Sequence, residues 1–204
     1  MTKEYKFYRR LCAFVDFILG ILFKIVTVGR ENIPEGAALI CANHSSWSDP
    51  LFAAVAFGKK YQLHFMAKAE LLKNFFLSRI IRNAGSFGVD RDGNDISAVR
   101  NTMKYLRSGE KVVIFPEGTR TKDAGTVKPK SGVVHIADKT DTSIVPVYIP
   151  RKKSLFSKLT IIIGKPYKIS APPDGGGRVD YDACADDLMS RINGLPEAVA
   201  IGPH

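Results

Sequence analysis

The stretch AALICANHSSWSDP, residues 37–50, combines an apolar run with a histidine and an aspartate that follow it closely. Residues 37–42 predict a buried β-strand, and Asp49 followed by Pro50 is typical of the start of a helix. His44 is therefore predicted to lie in a strand-to-helix loop. Along one continuous helix the side chains of His44 and Asp49 would point about 140° apart, so only a loop that folds back can bring them together.

The pairing of an imidazole with a carboxylate suits the removal of a proton from an alcohol. An ordinary imidazole has a pKa of about 6.5 and can accept a proton at physiological pH. A carboxylate on the other ring nitrogen fixes its tautomer. The alternative interpretation is that Asp49 only caps a helix and His44 only occupies a loop.

The composition indicates one folded domain with an anionic partner. The chain has 204 residues, 45% of them hydrophobic, and its alternating strand and helix patterns predict an α/β fold. A net charge of +10 favours nucleic acid, an anionic membrane surface or a phosphorylated substrate. The basic residues are not interleaved with aromatic residues for base stacking, and no recognition helix is evident, so we do not expect nucleic acid as a partner.

The cysteines indicate neither a disulfide framework nor a metal site. Cys12, Cys41 and Cys184 are widely spaced, odd in number and outside any CxxC or Cys/His pattern. We therefore expect a reducing compartment and no bound metal.

Residues 1–30 are predicted to form an N-terminal amphipathic, membrane-associating segment that precedes one globular domain, residues 31–204, which is the domain that carries the motifs described below. Residues 11–23 are apolar apart from Asp16 and are flanked by lysines and arginines. As a helix this run would be about 20 Å long, which is shorter than a hydrocarbon core of about 30 Å. A helix with basic ends suits a lipid interface. The alternative is a helix packed on the domain's own core.

Polar residues also follow a second predicted strand, at residues 111–115. Glu117, Gly118, Thr119 and Arg120 supply a carboxylate, a flexible glycine, a hydroxyl and a guanidinium there. Ligands of open α/β sheets bind beyond the carboxyl ends of strands, which makes this segment a candidate binding site. The alternative is a turn with solvated charges.

Three further segments carry predictions. Arg91, between Asp90 and Asp92, is either a phosphate clamp or a surface ion pair. The strand predicted at residues 144–149 contains Pro146, which favours a sheet edge or the margin of a site. The basic residues 151–153 are predicted to form a solvated loop, with membrane contact as the alternative because Leu155 and Phe156 follow closely.

Four blocks of the chain, taken together, resemble the glycerolipid acyltransferases, and within them the 1-acylglycerol-3-phosphate (lysophosphatidate) acyltransferases. The blocks are residues 43–49, 88–91, 115–120 and 144–147, in the family's order, and Lys130 falls where the family commonly has a lysine. The chain lacks a phenylalanine often found before that lysine, and its N-terminal anchor is short. The resemblance implies a mixed, largely parallel β-sheet covered by helices.

The resemblance also implies an activity. A fatty acyl group would pass from a thioester, acyl-CoA or acyl carrier protein, to the 2-hydroxyl of lysophosphatidate, with no other cofactor. His44 would act as the base and Asp49 would orient it, while Arg91 would pair with the acceptor phosphate. The resemblance assigns the glycerol-phosphate pocket to five residues: Glu117, Gly118, Thr119, Arg120 and Lys130.

We expect the protein to be peripheral or monotopic on the cytoplasmic face of the cell membrane, where it would contact anionic lipid. Two alternatives remain. One is a related acyltransferase that acts on another lysophospholipid or on an aminoacylated lipid. The other is a non-catalytic, membrane-adsorbed lipid-binding protein.

Overall fold

The computed structural model describes residues 3–89, 96–169 and 179–201, and its centre is a seven-stranded sheet. The strands are β1 (Lys24–Val28), β2 (Ala38–Ala42), β3 (Leu63–Lys68), β4 (Phe87–Val89), β5 (Lys111–Ile114), β6 (Ile144–Tyr148) and β7 (Lys158–Ile163). Their order is β1-β7-β6-β2-β5-β3-β4. Among these strands only β6 and β7 pair antiparallel. The predicted mixed, largely parallel sheet is confirmed.

Helices cover both faces of the sheet. They are α1 (Lys3–Leu22), α2 (Asp49–Phe57), α3 (Phe75–Asn83), α4 (Ile96–Arg107), α5 (Gly132–Thr140) and α6 (Tyr181–Ile201). Short 3₁₀ turns lie at Arg30–Asn32 and Ala69–Lys73. Alternate residues of β2 face opposite layers, so that Ile40 packs with α1 and α2 whereas Leu39 and Cys41 pack with α4, α5 and α6.

The carboxyl end of β2 is the place where the fold assembles a site. All five residues of β2 are buried, as expected for a central strand covered on both faces. Its neighbours β5 and β6 run parallel to it, so the loops after all three strands emerge at one edge of the sheet. The chain segments that begin at Asn43, Phe115 and Ile149 therefore meet there.

Strand β1 was not predicted, since its residues were assigned to the N-terminal segment. Helix α1 ends at Leu22, and the β-branched run from Ile25 to Val28 pairs with β7. Such residues favour a strand over a helix when a sheet edge is available. The predicted boundary at residue 30 therefore follows a strand that already belongs to the sheet.

Strand β6 is internal, so the prediction of a sheet edge from Pro146 is wrong. The carbonyl of Pro146 accepts a hydrogen bond from the amide of Gly164 at 2.8 Å. The nitrogen and the carbonyl of a strand residue point to the same side, so the N–H that proline lacks would also face β7. There the ladder covers only Val147 and Tyr148, so the proline interrupts no pairing. The other prediction, the margin of a site, agrees with where β6 ends.

Candidate active site

His44 and Asp49 are in direct contact at the end of β2. Nδ1 of His44 lies 2.9 Å from Oδ2 of Asp49, and both residues are buried, with exposed fractions of 5% and 0%. The loop between them folds back onto the start of α2, as the spacing predicts. With Asp49 ionised, Nδ1 carries the proton and donates it to the carboxylate, which leaves Nε2 as the acceptor.

The carboxylate of Asp49 is held by three hydrogen-bond donors on Oδ2 and by one cation beside Oδ1. Oδ2 also accepts the amides of Ser45 and Ser46 at 2.6 and 2.7 Å, and Nζ of Lys153 lies 2.7 Å from Oδ1. Burial opposes the charged form of this carboxylate. The contacts with His44, Lys153 and the two amides outweigh burial, so the pKa of Asp49 lies below its ordinary value. Asp49 is therefore a fixed, ionised acceptor.

We expect Lys153→Met to raise the pKa of Asp49, because burial would remain while one offsetting cation would be lost. A carboxylate whose pKa is depressed in the folded state stabilises that state at pH values above its ordinary pKa. This stabilisation is lost as the pH falls through the folded-state pKa. In the variant, acid inactivation should therefore begin at a higher pH. Loss of this ion pair should also lower kcat about tenfold at pH 7, because Asp49 would hold the imidazole less firmly.

The measurement is the pH profile of kcat for wild type, Lys153→Met and the control Lys104→Met. Lys104 is an exposed residue of α4, which leads into the opposite end of β5. An acid limb that coincides with the wild-type limb would show that Lys153 does not act through Asp49.

Glu117 and Thr121 hold the main chain of His44 on both sides. Oε2 of Glu117 accepts the amide of His44 at 2.5 Å, and the amide of Thr121 donates to the carbonyl of His44 at 2.8 Å. Oε1 of Glu117 accepts the hydroxyl of Thr121 at 2.9 Å and Nη2 of Arg151 at 2.7 Å. Glu117 is only 3% exposed, so its contacts serve the position of His44.

Two further contacts fix the imidazole and its strand. The rings of His44 and Phe115 stack with centroids 4.2 Å apart. The side chain of Asn43 donates to the carbonyl of Ile149 and accepts its amide, both at 2.8 Å, which ties the end of β2 to the end of β6. The imidazole is thus held in one orientation by contacts within the protein.

Arg151 and Lys153 are site residues that the sequence reasoning missed. Their side chains are 12% and 8% exposed, and they pair with Glu117 and Asp49. The prediction of a solvated loop is therefore wrong for these two and right only for the exposed Lys152. The available signal was alternation, because every second residue after β6 can face the same side as the two acids.

The remaining predicted residues lie around this centre. Gly118 adopts a left-handed φ of +65° and donates its amide to the carbonyl of Phe115, and its Cα faces the methylenes of the exposed Lys130. Thr119 is exposed. The guanidinium of Arg120 lies 3.7 Å from the ring centroid of Trp47. Arg91 lies outside the described residues, so its role stays a prediction.

An apolar groove of about 250 Å³ opens beside His44. Its walls come from α1, α2, α3, β3 and the loop after β5. Leu11 and Val15 of α1, Ala54 of α2 and Phe65 of β3 are typical of its lining, and Arg120 with Trp47 stands at its polar end. A groove with this lining suits a hydrocarbon chain whose polar end reaches His44.

The site and the fold agree with comparisons to known proteins. A family described as Acyltransferase matches residues 24–150. The crystal structure of the 1-acyl-sn-glycerophosphate (LPA) acyltransferase PlsC from Thermotoga maritima is similar with a TM-score of 0.67 and 25% identity, over 98% of this chain and 80% of that one. The chain belongs to the acyltransferase family, and the resemblance inferred from its four blocks is confirmed.

Two relatives that are similar over most of this chain carry the same enzyme name. The 1-acyl-sn-glycerol-3-phosphate acyltransferase of Bacillus subtilis is 34% identical over 73% of this chain and 76% of its own length. The probable enzyme of the same name from Mycoplasma pneumoniae is 34% identical over 71% of this chain and 54% of its own length. The matched region thus spans about half of the longer relative.

Proposed function

We propose that this chain transfers a fatty acyl group from a thioester to the 2-hydroxyl of 1-acyl-sn-glycerol-3-phosphate and so forms phosphatidate. The observation that carries the proposal is the contact between His44 and Asp49 at the mouth of an apolar groove. The names of the relatives from Bacillus subtilis and Thermotoga maritima support the choice of acceptor.

The reaction needs no enzyme nucleophile. Nε2 of His44 accepts the proton of the acceptor hydroxyl while that oxygen attacks the thioester carbonyl. Asp49 stabilises the imidazolium that forms, and its contact with Nδ1 keeps the ring in place. The tetrahedral intermediate then collapses, the carbon–sulfur bond breaks, and the proton on Nε2 passes to the departing thiolate. The products are the ester and the free thiol.

The test of this function is release of free thiol from palmitoyl-CoA by the purified full chain in detergent. We expect release with lysophosphatidate and much less with lysophosphatidylcholine. The reverse preference would assign the chain to a related acyltransferase with another acceptor. Absence of release with every acceptor, together with retained lipid adsorption, would leave a lipid-binding protein.

Arg91 is proposed to bind the acceptor phosphate, on the strength of its position in the second family block. We expect Arg91→Ala to raise the KM for lysophosphatidate about tenfold to a hundredfold, because a charged hydrogen bond to phosphate is lost. The KM for the thioester donor should stay near the wild-type value. A rise in the donor KM alone would show that Arg91 does not bind the acceptor phosphate.

Membrane contact is proposed for the exposed side of α1. Tyr8, Cys12 and Leu19 of this helix are buried in the core, whereas Phe14, Phe17 and Ile21 are 64%, 66% and 56% exposed. Phe75, Phe76, Leu155 and Phe156 are exposed as well.

None of the helices within the described residues is long and apolar enough to cross a bilayer. An interfacial position with anionic lipid, on the cytoplasmic face where free cysteines persist, fits this pattern.

We expect the double variant Phe14→Ser/Phe17→Ser to bind liposomes at least about tenfold more weakly, because two large apolar side chains would no longer enter the lipid interface. The measurement is co-sedimentation with vesicles that contain anionic lipid. The matched control is Ala13→Ser, a smaller change on the same helix. Unchanged sedimentation of the double variant would show that α1 only packs on the core and does not contact lipid.

A further inference from the structure

A second cavity lies on the other side of the loop that carries the catalytic pair. It has a volume of about 560 Å³, and it is called the basic pocket below. Its lining consists of Phe23, Ser45, Ser46, Ser48, Lys122, Arg151, Lys152 and Lys153. These residues include four cations and three hydroxyls, and none of them is acidic. The basic pocket therefore has the chemistry of an anion site.

The loop after β2 separates the basic pocket from the apolar groove. His44 and Trp47 line the groove, whereas Ser45, Ser46 and Ser48 line the basic pocket. The loop after β5 divides in the same way, because Arg120 lines the groove and Lys122 the basic pocket. Both cavities thus adjoin the catalytic loop, but only the groove contains the imidazole.

The charge of the basic pocket is not fully neutralised within the described part of the chain. Arg151 and Lys153 pair with Glu117 and Asp49. Lys122 and Lys152 are exposed, and no ion pair is found for either among the residues that the structure describes. The hydroxyls of Ser46 and Ser48 lie 2.9 Å apart, so one can donate to the other while the second donates outward.

We propose that the basic pocket binds the phosphate of the 4′-phosphopantetheine arm, which acyl-CoA and acyl carrier protein share. This inference rests on the proposed function. The acceptor's phosphate sits on the carbon next to the reacting hydroxyl, so it must lie within a few ångströms of His44, whose imidazole lines the groove. The donor's phosphate is separated from the thioester by the whole pantetheine arm. It can therefore occupy a pocket behind the catalytic loop while the thioester reaches Nε2 over the loop's edge.

The first test measures binding without turnover. Isothermal titration calorimetry of the full chain with CoA would compare wild type, Lys122→Gln/Lys152→Gln, and the charge-matched control Lys104→Gln/Lys139→Gln. Lys104 and Lys139 are exposed residues near the C-terminal ends of α4 and α5. We expect the Kd for CoA to rise about tenfold or more in the first variant only. Equal Kd values for all three proteins would overturn the proposal.

The second test removes the phosphate from the ligand instead of the cations from the protein. Kinetics with acyl-CoA and acyl carrier protein should show a raised donor KM in Lys122→Gln/Lys152→Gln and an unchanged KM for lysophosphatidate. With acyl-pantetheine, which has no phosphate, the same variant should match wild type. A penalty that persists with acyl-pantetheine, or a rise in the acceptor KM alone, would overturn the proposal.

The two proposals can fail separately. A wild-type chain that binds CoA through the basic pocket but releases no thiol would contradict the proposed function only. An active wild-type chain whose affinity for CoA does not depend on Lys122 and Lys152 would contradict only the proposal for the basic pocket. A penalty seen with acyl-CoA but not with acyl carrier protein would also count against it, because it would point to the nucleotide phosphates.

Discussion

His44→Ala should lower kcat by about 10²–10⁴-fold, which is the usual contribution of a positioned general base. The expected loss is large because Nε2 of His44 is the acceptor that the geometry prepares, with Nδ1 bound 2.9 Å from Asp49 and the ring stacked on Phe115. The measurement is single-turnover acyl transfer from palmitoyl-CoA to lysophosphatidate, which reports the chemical step. The KM for either substrate should change much less than kcat.

The His44→Ala variant should still fold, since Glu117 and Thr121 hold only the main chain of residue 44. Its liposome binding should therefore match wild type. The control is His135→Ala, because His135 is an exposed residue of α5. Turnover near the wild-type rate in His44→Ala would exclude this imidazole as the base and with it the mechanism given above.

Arg151→Met should lower the free energy of unfolding by about 3–5 kcal/mol, as expected when one partner of a buried ion pair is removed. Arg151 and Glu117 meet at 2.7 Å with side chains 12% and 2% exposed, so the change would leave a buried carboxylate without its cation. The measurement is urea unfolding at pH 7. The activity should fall as well, because Glu117 positions the amide of His44.

Two further variants make this result specific. Arg151→Met/Glu117→Gln should recover part of the lost stability, because the uncompensated charge disappears with its partner. Lys128→Met removes an exposed ion pair with Asp182, 67% and 58% exposed, and should cost at most about 1 kcal/mol. If Arg151→Met were no more destabilising than Lys128→Met, the pair with Glu117 would not hold the site together.

The parts of the site that could be predicted are local in sequence. His44 lies in the loop after a recognisable strand and Asp49 begins the helix that follows, so their contact follows from the pattern. Glu117 could be placed at the same sheet edge because it follows another buried strand. Its contacts with the main chain of His44 could not be foreseen, since they depend on how two loops pack.

The parts that could not be predicted depend on distant partners. Arg151 and Lys153 come from a basic triplet that looks solvated until β6 is known to lie beside β2. Alternation after β6 indicates that Arg151 and Lys153 share a side, but it does not indicate which acids from other segments they meet. Strand β1 was missed for a similar reason, because its partner β7 lies more than a hundred positions further along the chain.

Helix α1 forms part of the groove and is also proposed to contact lipid, which affects how shortened versions of this enzyme should be interpreted. Leu11 and Val15 form one wall of the groove, and Tyr8 belongs to the core. If the exposed side of α1 contacts lipid as proposed, removing the first 22 residues would weaken that contact and would also remove one wall of the apolar groove. An inactive truncated enzyme would say nothing about whether attachment itself is required, whereas serine substitutions at exposed positions of α1 separate the two effects.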